Sequence, residues 1–348
     1  MRVGQLKSDL KEILHSLVLA VSRTRGAKGG RVSSVDIAKH SGQNCEEDHQ
    51  YREELLREAN FWGDDVRKGL HKRRYFNEHP IVREAFSERM KIESLPWEQW
   101  VRDYFQGTAE LGLDLGCGIS ETTRGLIDNR LVKRAVGIDI SEVRLEEGRL
   151  LNEKGGYAIA LLAADINTVV LSDIINERVD LVYSGHSFHH FFSLEHICAQ
   201  LRGIVKPGGL LVLEDYTGPS VLQWTDAQCH YIDLWLHKVP EKYRRLEDGQ
   251  VKVACGRPTI QQVQAGSPFE AIRSSEILQV LSENFRILHH KKLGGTLLNN
   301  FMEGIAHNFT DDDAFANQFV RDLVAEEYRL IEEGEIDNDF SFLVASPS

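Results

Sequence analysis

LDLGCGIS, residues 113–120, is a short apolar run that ends in a glycine-rich turn. A turn of this kind after a strand lets the backbone approach a ligand closely, and the helix that follows offers free N–H groups at its positive end. Asp139 ends the next apolar run, VGIDIS, where a carboxylate can accept hydrogen bonds from ribose hydroxyls. The pattern predicts a nucleoside-containing cofactor beyond the carboxyl ends of parallel strands.

Short apolar runs recur along the chain from residue 108 and alternate with helical stretches. Such alternation predicts βαβ units and a parallel sheet that is covered by helices on both faces. A polar, aromatic-bearing segment at about 216–273 interrupts the pattern as a helical cap insertion. The predicted strands are 111–115, 134–138, 157–163, 179–183, 210–214, 285–293 and 340–345, and a helix is predicted at 274–284.

The first 107 residues differ from the rest because they contain helical patterns only. Apolar residues between positions 6 and 21 follow the spacing of an amphipathic helix. Residues 32–41 resemble the small dimerisation or winged-helix segments that precede some transferase domains, which leaves a homodimer open. Residues 46–59 predict a charged helix, and Pro80 suits the first turn of another. We therefore divide the chain into a helical region, 1–107, and an α/β domain, 108–348.

The composition is that of a folded, water-soluble protein. Of the 348 residues, 42% are hydrophobic and 27% charged, which argues against a mainly disordered chain. The 41 Lys and Arg against 53 Asp and Glu give a net charge of −12, which disfavours a dedicated nucleic-acid binder. The apolar run at 17–21 is too short for a membrane span, and five scattered cysteines predict no disulfide framework. We expect a cytoplasmic protein.

The residues around the turn favour one class of cofactor over another. A dinucleotide-binding turn usually has a third glycine, and its position is taken by Glu121, whose charge would oppose a pyrophosphate. Asp114 before the turn suits a cationic group instead. S-adenosylmethionine (SAM) carries an ammonium and a sulfonium but no phosphate. An NAD-dependent oxidoreductase remains the alternative, and a glycine turn that is only structural remains open as well.

Residues 108–215 resemble the class I SAM-dependent methyltransferase family. The motifs that carry the resemblance occur in the family's order and spacing: LDLGCGIS (113–120), GIDIS (137–141), AADI (163–166), DLVYSGHSFHHF (180–191) and VKPGGLLVLED (205–215). The resemblance implies a seven-stranded, mostly parallel Rossmann-like sheet with a terminal β-hairpin. It also implies SAM as cofactor and S-adenosylhomocysteine as product. The family's third glycine is Ser120 here, which is a departure.

The resemblance also assigns roles to single residues. Asp139 could instead only cap the helix after it, Asp165 is likewise a good N-cap residue, and Cys117 suits packing better than nucleophilic attack. The implied contacts are Asp114, Gly116, Cys117 and Gly118 to the methionine moiety, Asp139 to the ribose, Ile140, Asp165 and Ile166 to the adenine, and Ser184 and His186 near the sulfonium.

Two residues at strand ends are candidates for handling the acceptor. A hydroxyl acceptor needs a base within hydrogen-bond reach, and histidine titrates near neutral pH. We favour His189 as base and Glu214 as second candidate or substrate anchor, although a His pair here can simply pack against the sheet. His190 is a weaker candidate because adjacent side chains point in different directions. No metal site is expected.

The acceptor itself is predicted only by class. The helical region and the cap insertion should enclose a small-molecule or glycan-like substrate, methylated at oxygen, while a protein acceptor remains an alternative. Arg273 could clamp an acidic group, and the basic run 67–74 could bind one, although both also suit a solvated surface. Aromatic residues of the insertion could stack on a substrate or pack the cap's own core; they are Trp224, Tyr231 and Trp235, with His230 beside them.

Overall fold

The computed structural model describes residues 45–69 and 75–347. The predictions for residues 6–21 and 32–41, and those for positions 70–74 of the basic run, lie outside the described residues. Among the described residues, no helix is both long and apolar enough to cross a bilayer.

A single sheet of seven strands organises the described part of the chain. The strand order is β3-β2-β1-β4-β5-β7-β6, in which the first five strands pair in parallel and β7 pairs antiparallel with β5 and β6. The strands are β1 (Ala109–Leu115), β2 (Val132–Asp139), β3 (Ile159–Ala163), β4 (Val179–Gly185), β5 (Val205–Tyr216), β6 (Phe285–Gly294) and β7 (Phe340–Pro347).

This topology confirms the predicted α/β class, a mostly parallel Rossmann-like sheet with a terminal hairpin. Dinucleotide-binding sheets continue with a sixth parallel strand, in the order 3-2-1-4-5-6. Here the antiparallel β7 lies between β5 and β6. The terminal hairpin, which we expected of a SAM-binding sheet but not of a dinucleotide-binding one, is therefore present. Its presence disfavours the NAD alternative.

Helices cover the sheet and precede it. Their starts follow local signals: His79 caps the helix that begins at Pro80, as predicted, and Thr225 and Thr259 form capping boxes. The helices are α1 (Cys45–Arg67), α2 (Pro80–Arg89), α3 (Trp97–Tyr104), α4 (Glu121–Asp128), α5 (Glu142–Gly155), α6 (Leu171–Ile174), α7 (Leu194–Ile204), α8 (Asp226–Lys238), α9 (Ile260–Gly266), α10 (Ile277–Asn284), α11 (Leu298–Met302) and α12 (Ala314–Glu333).

Both faces of the sheet are buried, as expected for parallel strands between helices. Neighbouring residues of β4 show the alternation, since Leu181 belongs to the apolar cluster on one face and Val182 to the cluster on the other. Leu113 and Leu115 of β1 have no exposed surface. The strand ends are thereby held rigidly, and the polar residues that follow them lie at one edge.

Two predicted features outside the sheet differ in the structure. Helix α1 continues to Arg67, eight residues beyond the predicted end at residue 59. The predicted helix at 274–284 starts with a 3₁₀ turn and becomes α-helical only at Ile277. Arg273, just before this turn, pairs with Glu195 and Glu276. These ion pairs favour the interpretation of Arg273 as a surface residue.

The aromatic residues of the insertion divide between core and surface. Trp224 and Trp235 are buried, and the Trp235 ring packs 5.3 Å from that of Phe319 in α12. Tyr231 is partly buried, whereas His230 is exposed. The tryptophans of the insertion thus belong to a buried core, which Trp235 shares with α12.

Candidate active site

The glycine turn after β1 is packed tightly against its surroundings. The N–H groups of Gly116 and Cys117 both donate to the carbonyl of Ile138, over 2.8 and 3.0 Å. Gly116 has φ +71°, and a Cβ there would lie 2.3 Å from the Cβ of Ser187. A left-handed backbone and so close an approach both require glycine at this position. The turn is therefore fixed between the ends of β2 and β4.

Ser120, the departure from the family pattern, adopts the conformation that a glycine would have. Its φ is +65°, and it precedes the first residue of α4. The side chain is fully buried, and its hydroxyl accepts a hydrogen bond from Asn152 Nδ2 over 3.2 Å. The partner in α5 thus stabilises a serine where the backbone favours glycine.

Asp139 at the end of β2 faces the glycine turn. One carboxylate oxygen accepts from the N–H of Gly118 and the other from the N–H of Ser141, each over 2.8 Å. The second contact belongs to the start of α5, so the capping interpretation holds in part. A carboxylate has about four acceptor positions. Two therefore remain for the hydroxyls of a ribose.

Asp114 lies buried below the turn, with 2% of its surface exposed. Burial raises its pKa to about 7, and the nearby charge of Asp139 adds to this, although a 2.6 Å hydrogen bond from Thr123 opposes the shift. A buried carboxyl with a raised pKa is stabilised in its charged form by a neighbouring cation. The position therefore suits an ammonium group.

Cys117 and Ser184 serve the packing of the turn. The Cys117 side chain lies in the core against Gly137, and burial raises the pKa of its thiol, so it is a packing residue and not a nucleophile. The hydroxyl of Ser184 donates to the carbonyl of Leu115 over 3.2 Å and lies 2.8 Å from that of Ser187. Ser184 is thus placed under the turn, as a member of a small hydroxyl cluster.

The predicted adenine contact, Asp165, is engaged within the protein. Its Oδ1 accepts from the backbone N–H and the side-chain amide of Asn167, over 3.0 and 3.1 Å. Its Oδ2 accepts from Thr168 Oγ1 over 2.9 Å and from the hydroxyl of Tyr51 in α1. All four acceptor positions are used. An adenine amino group would have to replace one of these donors. Beside it, Ile166 is buried and Ile140 partly exposed.

Helix α1 also lies against the ribose end of the crevice. A Cβ on Gly63 would lie 3.1 Å from the hydroxyl of Ser141, and the Trp62 ring lies 5.3 Å from the Arg144 guanidinium carbon. The Arg144 guanidinium in turn covers Gly118, where a Cβ would lie 2.8 Å from Nη2. Tyr51, Trp62 and Arg144 were not predicted as site residues, because the sequence carries no local signal for these contacts.

His186 and Glu214 form a more open group at the ends of β4 and β5. His186 Nε2 lies 3.6 Å from a Glu214 carboxylate oxygen, and the side-chain amide of Asn77 lies 3.2 Å from the same nitrogen. The other Glu214 oxygen is 3.5 Å from the Tyr183 hydroxyl. The His186 side chain is 40% exposed. These two predicted residues are therefore close to one another and reach solvent.

His189 is held between carboxylates. Its Nδ1 bonds to Asp215, which is fully buried, and its Nε2 lies 3.6 Å from Glu270. Burial lowers the pKa of His189, but the charges of Asp215 and Glu270 outweigh it and raise the pKa to about 10. To act as the base that we predicted, the ring must give up a proton that these two carboxylates favour.

Comparison with known proteins shows similarity to methyltransferases. Residues 113–213 match the family model described as a methyltransferase domain. An uncharacterized methyltransferase of Mycobacterium tuberculosis strain H37Rv is 33% identical over 114 residues, which cover 31% of this chain and 52% of that protein. This chain is therefore similar to methyltransferases over residues 113–213. It spans about half the length of the curated mycobacterial relatives that it matches.

Two further similarities involve proteins from a fungus and from a streptomycete. The hybrid PKS-NRPS synthetase apdA of Emericella nidulans is 30% identical over 115 residues, or 32% of this chain and 3% of that protein. The solved structure of geranyl diphosphate C-methyltransferase from Streptomyces coelicolor A3(2) is 12% identical, with a TM-score of 0.49, and the match covers 85% of this chain and 98% of that chain.

His190 lies beside His189, contrary to the prediction that the two adjacent side chains point in different directions. Its ring lies 4.2 Å from that of His189 and 5.1 Å from that of Trp62. Its Nδ1 is 3.2 Å from Glu58, and its Nε2 is 3.8 Å from Glu270. The 3₁₀ turn at Phe188–His190 brings both rings to one side.

Glu58 and Glu270 are the carboxylates that sequence reasoning missed. Glu58 is buried and accepts from Trp62 Nε1 over 2.7 Å and from the Ser267 hydroxyl over 2.7 Å. Burial raises the pKa of Glu270, but His190 and His189 outweigh it and lower the pKa to about 2. Glu58 was part of a helix interpreted only as charged, and Glu270 lies in the insertion, far in sequence from both histidines.

The fixed turn gives a first testable prediction. Replacing Gly116 by Ala should reduce the free energy of unfolding by about 2–5 kcal/mol, because a Cβ meets Ser187 and the backbone stays left-handed. The matched control is Gly125→Ala in α4, where a Cβ meets nothing within 4 Å and stability should rise by up to ~1 kcal/mol. Urea unfolding measures both. Equal stabilities of the two variants would contradict the described packing.

Proposed function

We propose that this protein transfers a methyl group from SAM to an oxygen of a small-molecule or glycan-like acceptor. The observation that carries the proposal is the glycine turn at 116–118 with Asp139 facing it and Asp114 buried below it, on a sheet that ends in an antiparallel hairpin. SAM supplies an electrophilic methyl group on a sulfonium. The protein's contribution is alignment and a preorganised polar surrounding.

The residues present suit SAM in three respects. The turn at Gly116, Cys117 and Gly118 would present its backbone to the methionine moiety, and Asp114 is suited to its ammonium. Asp139 retains two acceptor positions for the ribose. Ile140 and Ile166 would flank the adenine. In this proposal Ser184 and His186 lie near the sulfonium end. Binding would also require two side chains to move: the hydroxyl of Tyr51 gives up its contact with Asp165, and the Arg144 guanidinium moves off Gly118.

The acceptor side supports a modest substrate with a hydroxyl group. Helix α1 and the segment around Glu270 cover His189 and His190, so both rings are largely shielded from solvent. Toward His186 the site is open to solvent. Glu214, 18% exposed, is placed to accept a hydrogen bond from an acceptor hydroxyl. His189, oriented by Asp215, is the catalytic candidate on the buried side.

The cofactor assignment is tested by calorimetric titration. Wild-type protein should bind SAM, and Asp139→Asn should bind it at least about tenfold more weakly, a loss of ~1.4 kcal/mol, because an amide replaces a carboxylate acceptor of ribose hydroxyls. The control Asp173→Asn, at an exposed position of α6, should match wild type. Binding of NADH without binding of SAM would refute the proposal.

The contact between Tyr51 and Asp165 predicts a variant that binds SAM more tightly than the wild-type protein does. Tyr51→Phe keeps the ring packed against Phe192 and Phe269 but removes the hydroxyl that competes for the Asp165 carboxylate. SAM should bind about two- to tenfold more tightly, the range of one hydrogen bond. Tyr104→Phe, on the partly exposed ring of α3, is the control and should change nothing. Weaker binding by Tyr51→Phe would show that the hydroxyl contacts the cofactor instead.

The catalytic candidates are tested by transfer of label. The protein is incubated with isotopically labelled SAM and fractionated small metabolites or glycans, and methylated products are identified by mass spectrometry. His189→Ala should reduce transfer about 100-fold or more while SAM affinity stays within twofold, since general acid–base groups contribute that much. His230→Ala, exposed on α8, is the control. Unchanged transfer by the His189 variant would remove it from the mechanism, and label in protein alone would refute the small-molecule acceptor.

A further inference from the structure

Two histidines and one carboxylate converge at the acceptor side of the site. The rings of His189 and His190 lie 4.2 Å apart, and Glu270 extends from the insertion toward both. One ligand atom from each of the three residues lies within 4.8 Å of the others. We propose that His189, His190 and Glu270 bind a divalent transition-metal ion of the zinc type. The sequence had predicted no metal site.

The distances suit a single ion. Glu270 Oε1 lies 3.6 Å from His189 Nε2, and Glu270 Oε2 lies 3.8 Å from His190 Nε2. Bonds of about 2.0–2.1 Å in tetrahedral zinc sites place neighbouring ligand atoms roughly 3.3 Å apart. The two histidine–carboxylate distances exceed that spacing by a few tenths of an ångström, and one ligand atom from each residue lies within 4.8 Å of the others, so side-chain rotations would have to draw the donor atoms together around the ion.

Each histidine has a carboxylate on its other ring nitrogen. Asp215 bonds to His189 Nδ1, and Glu58 lies 3.2 Å from His190 Nδ1. Metal-binding histidines usually donate their second N–H to a carboxylate, which fixes the tautomer and turns the other nitrogen toward the ion. The Nε2 atoms that face Glu270 are the ones that this pattern leaves available.

Both supporting carboxylates are themselves held in place. Asp215 accepts backbone hydrogen bonds from Ser187, Phe188 and Tyr216, over 3.0, 2.6 and 2.7 Å. Glu58 accepts from Trp62, Ser267 and the backbone of Phe269. Such support fixes the orientation of the His189 ring through Asp215 and holds the Glu58 carboxylate beside the His190 ring before any ligand arrives.

His190 provides a separate indication. Its side chain is 11% exposed, and neither ring nitrogen makes a hydrogen bond of normal geometry with the described residues. Buried polar atoms without hydrogen bonds are rare, and each calls for a partner. A metal ion at Nε2 would supply one for that nitrogen.

The donor set selects the class of ion. Imidazole ligands suit zinc, cobalt, nickel and iron, whereas magnesium and calcium prefer all-oxygen sites. Three protein ligands leave a fourth tetrahedral position for a substrate atom. The role of that position, to hold an acceptor oxygen, rests on the proposed function, whereas metal binding itself does not.

The experiment measures metal binding in the absence of SAM. Tag-free full-length protein is stripped with a chelator and titrated with zinc chloride by calorimetry. Wild type should bind one ion per chain with micromolar or tighter affinity, and cobalt should give a visible absorption band of tetrahedral type. Glu270→Gln and His190→Ala should each weaken zinc binding by about 100-fold or more, beyond the 10–100-fold effect of supporting residues. Magnesium should not compete.

Matched controls are available at exposed positions outside the cluster. Glu276→Gln and His230→Ala change an exposed carboxylate and an exposed imidazole outside the cluster, and should leave zinc affinity unchanged. Circular dichroism checks the folding of each variant. If neither ligand variant folds, X-ray absorption of cobalt-loaded wild type counts the imidazole ligands, and two are expected.

Three results would overturn the metal site. They are wild-type protein that binds no zinc at 100-fold molar excess, zinc affinity that is unchanged in both ligand variants, and a cobalt spectrum without imidazole ligands. The first of these would leave the cluster as a network of ion pairs only. Protein that binds zinc but not SAM would refute the proposed function alone, so the two proposals fail separately.

Discussion

The carboxylate of Asp139 is the contact on which the site depends. It joins the glycine turn after β1 to the start of α5 by accepting N–H groups from both. Because the turn also donates to the Ile138 carbonyl, the ends of β1 and β2 are linked twice. Buried amides that lose such partners are costly. The same residue therefore fixes the crevice and leaves acceptor positions open toward it.

Much of this arrangement follows from local sequence. Each predicted feature depends on residues that are neighbours in the sequence: the glycine turn, the acid at the end of β2, and the alternation of strands and helices. Their order along the chain therefore predicts the fold and the edge of the sheet at which a cofactor is expected. The antiparallel hairpin was implied by the family resemblance. Six of the predicted strands are longer in the structure, because pairing with a neighbouring strand extends a strand beyond its apolar run, whereas β3 begins two residues later than predicted.

The contacts that could not be predicted join residues far apart in sequence. Tyr51 reaches Asp165, and Glu58 and Glu270 approach His190 from two segments that no motif identifies. Hydrophobic periodicity identifies which face of a helix is buried but not which polar atom that face meets. Asp165 shows the consequence, since its acceptor positions are filled by Asn167, Thr168 and Tyr51, and the last of these donors comes from α1.

Helix α1 contacts both the group around Asp165 and the group around His190. Tyr51, Glu58 and Trp62 are spaced by seven and four residues, so they lie on one face of the same helix. The first contacts Asp165, the second His190 and the third both His190 and Arg144. Because one helix carries all three side chains, the hydrogen bond at Asp165 and the carboxylate beside His190 depend on the same support.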